Sequence, residues 1–341
     1  MKIFNNKTYI IAEAGVNHNG DLQIALQMVK AAKGCGADCV KFQTFNTDSL
    51  VTKKASKAEY QVINTGNTES QYDMLKKLEL SYCDFSKIKD YCDEIDIDFM
   101  STPFDENSVE LLEKLQVKGY KLSSGDITNK SLIEYIAKKN KPIILSTGMC
   151  VIQEIEEAVE WIEKTGNKEI SLLHCTSNYP TSFDEVNMNS MITLKNRFSY
   201  RIGYSDHTEG IIIPIMAVSL GAKIIEKHFT LDRNMEGPDH KASLNPTEFK
   251  TMVDSIRNIE TAFGSYVKQP TDNEKKTMLA ARKSIVITKD LKKGYVLRKE
   301  DLCIKRPGNG VAPKYLDHFI NKKIMHDMEQ DSIIKLTDIE E

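Results

Sequence analysis

The sequence predicts an α/β protein, a (β/α)8 TIM barrel followed by a small, mostly β domain. Three observations support this prediction: eight short apolar runs, amphipathic stretches with helical spacing between most of them, and a change of texture after about residue 265. Strands joined by crossover helices pair in parallel, and eight such units close a barrel. An open doubly wound sheet is the alternative, but the sequence lacks the GxGxxG turn of a dinucleotide-binding fold.

Each of the eight predicted strands begins apolar and ends polar. They span residues 9–15, 38–45, 98–104, 119–125, 142–148, 170–177, 201–207 and 223–230. Between them, stretches such as EIEEAVEWIEK (154–164) place apolar residues at i, i+3, i+4 and i+7, the spacing of one helix face. In a barrel the carboxyl ends of all strands meet at one rim, where active sites are built, so the polar ends predict a single site.

The same change in sequence pattern predicts the domain organisation. We assign residues 1–265 to the barrel, the polar residues 266–280 to a linker, and residues 281–341 to the small domain. The small domain has short β runs and turn signals such as KRPGNG (305–310).

Residues 51–79 form a long excursion after the second strand. Such an excursion at an active rim is often a lid, and the alternative is an insertion without function.

The composition excludes several classes of partner. Lys and Arg number 46 against 49 Asp and Glu, a net charge of −3 with both signs mixed along the chain, so we expect neither nucleic acid nor a membrane as partner. The first residues lack the apolar core of a signal peptide, and no segment is apolar over the length of a membrane span. Seven scattered cysteines are typical of free thiols in a reducing compartment, which predicts a cytoplasmic protein.

Two histidines end neighbouring predicted strands, His207 in GYSDHT and His228 in IIEKHFT. Side chains alternate along a strand, so Glu226 and His228 point to one face and Lys227 to the other. Two neutral imidazoles on adjacent strands can bind a divalent metal, with Asp206 and Glu226 as supporting partners. The alternative is that both rings are hydrogen-bonded core residues.

Two lysines, Lys41 and Lys121, end two other strands among hydroxyl side chains. Ammonium and hydroxyl groups bind phosphate oxygens. Because a GxxxxGK[ST] loop is missing, a small phosphorylated acid fits better than a nucleotide triphosphate. Alternatively, the lysines pair with carboxylates such as Glu13 or Asp126. A lysine in an apolar strand also suits Schiff-base chemistry, so an aldolase stays open at this point.

Several motifs together resemble those of the sialic acid synthase family. They are IAEAGVNHNGD, VKFQTF, STPFD, KLSSGD, PIILSTGM, LLHCTSNYP, GYSDHT, IEKHFTLD and GPDHKASLNP, and KRPGNG resembles the antifreeze-like (SAF) domain of the family. The motifs occur in family order over nearly the whole chain. The resemblance implies a (β/α)8 barrel and a domain-swapped homodimer, in which the SAF domain of one subunit covers the active site of the other.

The resemblance also implies a transferase reaction. An N-acetylneuraminate synthase condenses phosphoenolpyruvate (PEP) with N-acetylmannosamine and water to give N-acetylneuraminate and phosphate, and this is the activity that we expect. A legionaminic acid synthase, which takes a 2,4-diacetamido-6-deoxy sugar, is the alternative, and a Schiff-base sialic acid aldolase is a third. The implied cofactor is a divalent metal, manganese first, with magnesium or cobalt as substitutes, that activates the aldehyde for attack by PEP.

Each site residue receives its implied role from this resemblance. Glu13 moves protons, and His207 and His228 ligate the metal. The PEP site comprises Lys41, Thr102, Lys121, Ser124, Ser146, Ser177 and Ser205. The sugar site comprises Gln43, Asp126, Tyr179, Asp239 and Arg306, with Arg306 contributed by the second subunit.

Two positions depart from the family pattern. The chain has SGD where the family often has SGE, so Asp126 is one methylene shorter at a position that faces the sugar. Some members have asparagine at the position of Ser177. The departure at Asp126 leaves the identity of the sugar open.

Overall fold

The computed structural model describes residues 7–66 and 68–340. The chain divides into two compact units, Met1–Gly264 and Ser265–Glu341. Unit 1 contains a ring of eight parallel strands with helices between them, and unit 2 contains an antiparallel strand pair. The predicted fold, a TIM barrel followed by a small, mostly β domain, is therefore confirmed.

The eight barrel strands coincide with the eight predicted runs. They are β1 (Tyr9–Gly15), β2 (Cys39–Thr44), β3 (Asp98–Pro103), β4 (Tyr120–Leu122), β5 (Ile143–Ser146), β6 (Ile170–His174), β7 (Arg201–Asp206) and β8 (Ile224–His228). The sheet order is β3-β2-β1-β8-β7-β6-β5-β4, and β3 and β4 lie side by side where the ring closes. The run 119–125 is a strand only over β4, because Ser124–Asp126 turn away as a short 3-10 helix.

An apolar layer fills the barrel below its polar rim. Its buried side chains are Tyr9, Ile11, Cys39, Met100, Ile144, Leu173 and Ile224. Side chains two positions apart on a strand share a face, so Glu13 lies above Ile11, Lys41 above Cys39 and Ser146 above Ile144. Burial of each large aliphatic side chain contributes about 1.5–3 kcal/mol. The layer is therefore a stable floor for the polar site.

The helices of unit 1 are mostly crossover helices that pack on the outside of the ring. They are α1 (Leu22–Gly34), α2 (Thr47–Leu50), α3 (Glu59–Thr65), α4 (Gln71–Lys76), α5 (Tyr82–Glu94), α6 (Glu106–Lys114), α7 (Lys130–Ala137), α8 (Ile152–Lys164), α9 (Asn189–Arg197), α10 (Ile212–Ser219) and α11 (Pro246–Ala262). The buried residues of α8 are Ile155, Ala158, Val159 and Ile162, which is the face that the sequence predicts. Within residues 7–66 and 68–340, no helix has both the length and the apolar character to cross a membrane.

The excursion after β2, residues 51–79, contains the short helices α3 and α4, and α2 directly precedes it. A small buried cluster of Val16, Phe45, Met74 and Leu78 holds it on the rim. The side-chain amide of Asn64, on α3, donates a hydrogen bond to the backbone oxygen of Pro238 at 2.6 Å. The excursion is thus an ordered cover that is tied to the loop after β8.

Unit 2 consists of α12 (Asp272–Ala281), β9 (Ser284–Ile287) and β10 (Leu302–Lys305), with several isolated antiparallel bridges. Its core includes Ile285, Ile287, Leu297, Phe319 and Ile334. Most of α12 lies in residues 266–280, which the sequence analysis treats as a linker. The helix begins at a Thr271–Glu274 capping box and buries no residue, so it lacks the apolar periodicity by which a packed helix is recognised.

Candidate active site

A cavity of about 300 Å³ lies at the carboxyl ends of the barrel strands. Its lining residues are Glu13, Lys41, Gln43, Thr102, Phe104, Lys121, Ser123, Ser124, Gly125, Ser146, Met149, Cys175, Ser177, Tyr179, Ser205, His207, Glu226 and His228. Every strand except β6 contributes at least one lining residue directly, and the loop after β6 contributes Cys175, Ser177 and Tyr179. The structure therefore brings together all of the predicted site residues except Asp126, Asp239 and Arg306.

These three residues are not among those that line the cavity. Asp126 accepts a hydrogen bond from Ser123 Oγ at 2.6 Å, next to the cavity. Asp239 is buried in the loop after β8, and burial raises its pKa to about 6. Arg306 is exposed in unit 2, directly after β10, and a cis peptide bond links it to Pro307. The roles that the resemblance implies for these residues stay predictions.

Lys41 lies within a set of buried polar groups at the β1–β2–β3 side of the cavity. Its Nζ atom is 2.7 Å from Glu13 Oε2 and 3.8 Å from Glu226 Oε2. It also donates a hydrogen bond to Thr102 Oγ1 at 3.1 Å. The alternative expectation, a lysine paired with Glu13, is thus realised for Lys41, and a bound anion would share this ammonium with two carboxylates.

Lys121 reaches the same cavity from β4, which only β3 separates from the strand of Lys41 in the closed ring. Its Nζ atom donates hydrogen bonds to Ser146 Oγ at 2.6 Å and to the backbone oxygen of Leu122 at 3.0 Å. Glu226 Oε1 lies 3.8 Å away and accepts a hydrogen bond from Ser205 Oγ at 3.0 Å. Glu226, on β8, therefore lies near both lysines, which come from β2 and β4.

The two cavity carboxylates differ in their preferred protonation state. Burial raises the pKa of Glu13 to about 7, against the opposing charge of Lys41. Burial also acts on Glu226, but the charges of Lys121 and Lys41 hold the pKa of Glu226 below its ordinary value. Near neutral pH, Glu13 can thus both give and take a proton, while Glu226 stays ionised.

The geometry of His207 and His228 fits a shared metal ion. The ring centroids are 5.4 Å apart, and burial lowers the pKa of both imidazoles, which favours the neutral, ligating form. His207 Nδ1 lies 2.6 Å from the backbone oxygen of Thr176, so it donates and leaves Nε2 with a free lone pair. His228 Nδ1 is buried and has no hydrogen-bond partner among the described residues.

The two histidines would supply only part of a coordination sphere. Across the described part of the chain, no group of three or more His, Cys, Asp or Glu side chains is arranged to hold a metal. A metal that is held by two imidazoles keeps several positions for substrate oxygen and water, as a catalytic site requires. Tyr179 covers the pair, with its ring centroid 4.2 Å from that of His207 and 5.6 Å from that of His228.

Gly148 allows the side chains of Ser124, Cys175 and Ser177 to pack closely against the backbone at residue 148. Its backbone N–H donates to Ser124 Oγ at 2.8 Å. A Cβ atom at this position would lie 2.3 Å from Ser177 Oγ and 2.9 Å from Cys175 Sγ. Any side chain at residue 148 would therefore displace two groups that line the cavity.

Sequence reasoning gave Glu226 only a supporting role beside the metal and did not identify Tyr60. Alternation along β8 does put Glu226 on the face of His228, but its place between Lys41 and Lys121 depends on distances across the barrel. Tyr60 lies in the excursion, and its ring centroid is 4.9 Å from that of Tyr179. No periodic pattern marks Tyr60, since α3 is short.

The fold and the cavity define the class of this protein: a TIM-barrel enzyme with a basic, hydroxyl-rich site and an appended small domain. A model of the NeuB family matches residues 28–268, and a model of the SAF domain matches residues 282–340. The chain belongs to the NeuB family, and it is an enzyme of the transferase type. The predicted membership of the sialic acid synthase family is confirmed.

Relatives support this assignment over nearly the full length. The chain is 48% identical to an N,N'-diacetyllegionaminic acid synthase of Legionella pneumophila, over 93% of this chain and 90% of the relative. It is also 48% identical to an N,N'-diacetyllegionaminic acid synthase of Campylobacter jejuni, over 96% and 99%. The crystal structure of an N-acetylneuraminic acid synthetase from Leptospira borgpetersenii is 35% identical, with a TM-score of 0.71 over 80% of this chain and 90% of that one.

Proposed function

We propose that the protein is a legionaminic acid synthase that condenses PEP with a 2,4-diacetamido-6-deoxy sugar and water, giving a nine-carbon sugar acid and phosphate. The observation that carries this proposal is the 48% identity to two N,N'-diacetyllegionaminic acid synthases, against 35% to the N-acetylneuraminic acid synthetase. The relatives thus favour the diacetamido sugar as the acceptor, whereas the motifs alone favour N-acetylmannosamine. They also favour a synthase over a Schiff-base aldolase.

PEP would occupy the part of the cavity between Lys41 and Lys121. Both lysines are buried, so their charges act through a medium of low polarity, where attraction to a phosphate or carboxylate is strong. Thr102 and Ser146 already contact the two ammonium groups, and Ser124, Ser177 and Ser205 add hydroxyl groups to the same wall. These groups can bind the two anionic ends of PEP.

The acceptor sugar would present its open-chain aldehyde beside His207 and His228. These residues would hold the divalent metal, manganese by resemblance, and the bound metal would polarise the aldehyde oxygen. The floor and walls of the cavity hold the aldehyde carbon against carbon 3 of PEP, which removes much of the entropic barrier to carbon–carbon bond formation. Gln43 and Tyr179 line the cavity where the sugar chain would extend.

Glu13 would carry out the proton transfers of the reaction. Carbon 3 of PEP attacks the aldehyde carbon, and the aldehyde oxygen becomes a hydroxyl group by gaining a proton. Water adds to carbon 2 and loses one proton. The bond between carbon 2 and the phosphate oxygen then breaks, the new hydroxyl group becomes the ketone of the product, and its proton leaves with phosphate. Glu13, whose pKa of about 7 lies near neutral pH, can give the first proton and accept the second. We further propose that Arg306 of a second copy contacts an acetamido group, in a swapped dimer.

A phosphate-release assay tests the proposed function. Purified protein is incubated with PEP, manganese and either the diacetamido sugar or N-acetylmannosamine. We expect phosphate release that requires PEP. We also expect kcat/KM to be higher for the diacetamido sugar than for N-acetylmannosamine. A higher kcat/KM for N-acetylmannosamine would overturn the proposed acceptor, and phosphate release without any sugar would overturn the synthase reaction. Full activity after chelation would remove the role of the metal.

A further inference from the structure

We propose that Tyr60 and Asp239 together recognise the second acetamido group of the acceptor, the group that N-acetylmannosamine lacks. This inference rests on the proposed function and names the residues that would set its specificity. A secondary amide presents one N–H donor and one carbonyl acceptor, so its recognition needs one acceptor and one donor from the protein. The Asp239 carboxylate supplies the acceptor, and the Tyr60 hydroxyl supplies the donor.

Tyr60 extends the aromatic wall that begins at the histidine pair. It lies in the first turn of α3, and its ring is tilted by 32° against that of Tyr179 at a centroid distance of 4.9 Å. Tyr179 in turn packs on His207. If the aldehyde end of the sugar binds at the histidines, the rest of the chain runs along this wall towards Tyr60.

The Tyr60 hydroxyl has one hydrogen-bonding function in use. It accepts from Gln61 Nε2 at 3.3 Å, and among residues 7–66 and 68–340 no acceptor for its own proton is present. Burial and the nearby charge of Asp239 raise the pKa of Tyr60, so the hydroxyl keeps its proton at neutral pH. It is therefore available as a donor to a carbonyl oxygen.

Asp239 is a buried acceptor that lacks a donor. Only 8% of the residue is exposed, and its backbone oxygen, not its carboxylate, accepts the hydrogen bond of Ser243. In the described ranges no side chain or backbone N–H donates to the carboxylate. Burial raises the pKa of both Tyr60 and Tyr179, and the charge of Asp239 adds to this effect. An amide N–H would satisfy a group that is otherwise costly to bury.

A hydrogen bond between α3 and the loop after β8 keeps the two groups together. Asn64, one helical turn after Tyr60, donates to the backbone oxygen of Pro238 at 2.6 Å, and Pro238 directly precedes Asp239. The donor and the acceptor thus belong to one connected structure, although they are far apart in the sequence.

The test replaces Tyr60 with Phe, which keeps the ring stack and removes only the hydroxyl. We expect the KM for the diacetamido sugar to rise by about three- to tenfold, the effect of one hydrogen bond. The KM values for PEP and for N-acetylmannosamine should stay unchanged. Tyr72→Phe is the matched control, because Tyr72 lies in α4 of the same excursion and donates its hydroxyl to Asp48, remote from the cavity.

The outcomes separate this inference from the proposed function. An unchanged KM for the diacetamido sugar in Tyr60→Phe, or an equal rise for both sugars, overturns the inference while the wild-type preference stands. A wild-type enzyme without any preference for the diacetamido sugar overturns both. If Tyr60→Phe does not fold by its thermal melt, Asp239→Asn takes its place. The expected result is a larger rise in KM for the diacetamido sugar than for N-acetylmannosamine, and an equal rise for both sugars is the contradicting one.

Discussion

Strand β8 takes part in two buried charge clusters on its opposite faces, and the two are built differently. One is the Lys227–Asp206 pair, and the other is the cavity-side cluster of Glu13, Lys41, Lys121 and Glu226. On the side away from the cavity, Lys227 Nζ lies 2.5 Å from Asp206 Oδ2, and neither side chain has exposed surface. Lys227 also donates to the backbone oxygen of Thr208, while the backbone N–H and the hydroxyl of Thr208 donate to Asp206. Each charge of this rear pair meets a partner within the protein.

The cavity-side cluster is buried to a similar degree but is incompletely paired. Both lysine contacts of Glu226 are 3.8 Å long, and its Oε2 atom has no hydrogen-bond donor among the described residues. Glu13 reduces the free-energy cost of burying its charge, because its pKa of about 7 lets it hold a proton near neutral pH. The charges of the rear pair are thus fully paired in the folded protein alone, whereas the cavity-side cluster keeps hydrogen-bonding groups that a ligand can use.

The largest expected effect is on the rear pair. Lys227→Met leaves the Asp206 carboxylate buried without its ammonium partner, which costs about 3–5 kcal/mol. Urea denaturation should show this loss in the free energy of unfolding. The double variant Asp206→Leu/Lys227→Met is the control, because removal of both charges should recover most of the stability. A single variant as stable as the wild type would contradict the assigned role.

Ligand protection is the next effect in size. PEP at about 100 times its Kd should stabilise the wild type by about 2.7 kcal/mol, because it binds only the folded state. Lys41→Met should remove most of this protection, since it takes away an ammonium group from the cavity. Denaturation with and without PEP measures both values. Full protection in Lys41→Met would show that the cavity-side cluster is not the PEP site.

Glu13→Gln should make the protein more stable at high pH. The pKa of about 7 is above the ordinary value of 4.5, so the native state binds more protons than the unfolded state between these values. The wild type therefore loses stability as the pH rises from about 4.5 to about 7. At pH 8 the variant should be about 1–3 kcal/mol more stable than the wild type, and at pH 4 the two should be equal. A constant difference at every pH would contradict this pKa.

An exposed ion pair gives the smallest expected effect. Lys250 lies 3.0 Å from Asp254 on α11, and more than half of each side chain is exposed. Lys250→Met should change the free energy of unfolding by less than about 0.5 kcal/mol, because water and salt screen the pair. A loss as large as that of Lys227→Met would mean that burial does not explain the difference between the clusters.

Much of this molecule could be predicted from local sequence patterns. The eight strands and the polar rim follow from apolar runs that end in polar residues, and His207 and His228 follow from their places on adjacent strands. These features depend on the period of two along a strand and on the parallel order of a barrel. Both are properties of short sequence stretches.

Other features depend on distances that no local pattern encodes. Glu226 interacts with Lys41 and Lys121 across the interior of the ring, and only the closure of the barrel brings them together. Tyr60 reaches Tyr179 because the excursion packs through a small apolar cluster of its own. The helix α12 buries no residue, so its polar sequence is indistinguishable from a linker.

The most direct test of the central claim is a competition for PEP. The protein is incubated with manganese, PEP and equal amounts of the diacetamido sugar and N-acetylmannosamine, and the products are measured by mass spectrometry. We expect the condensation product of PEP with the diacetamido sugar to dominate. Dominance of N-acetylneuraminate, or the absence of both condensation products, would contradict the central claim.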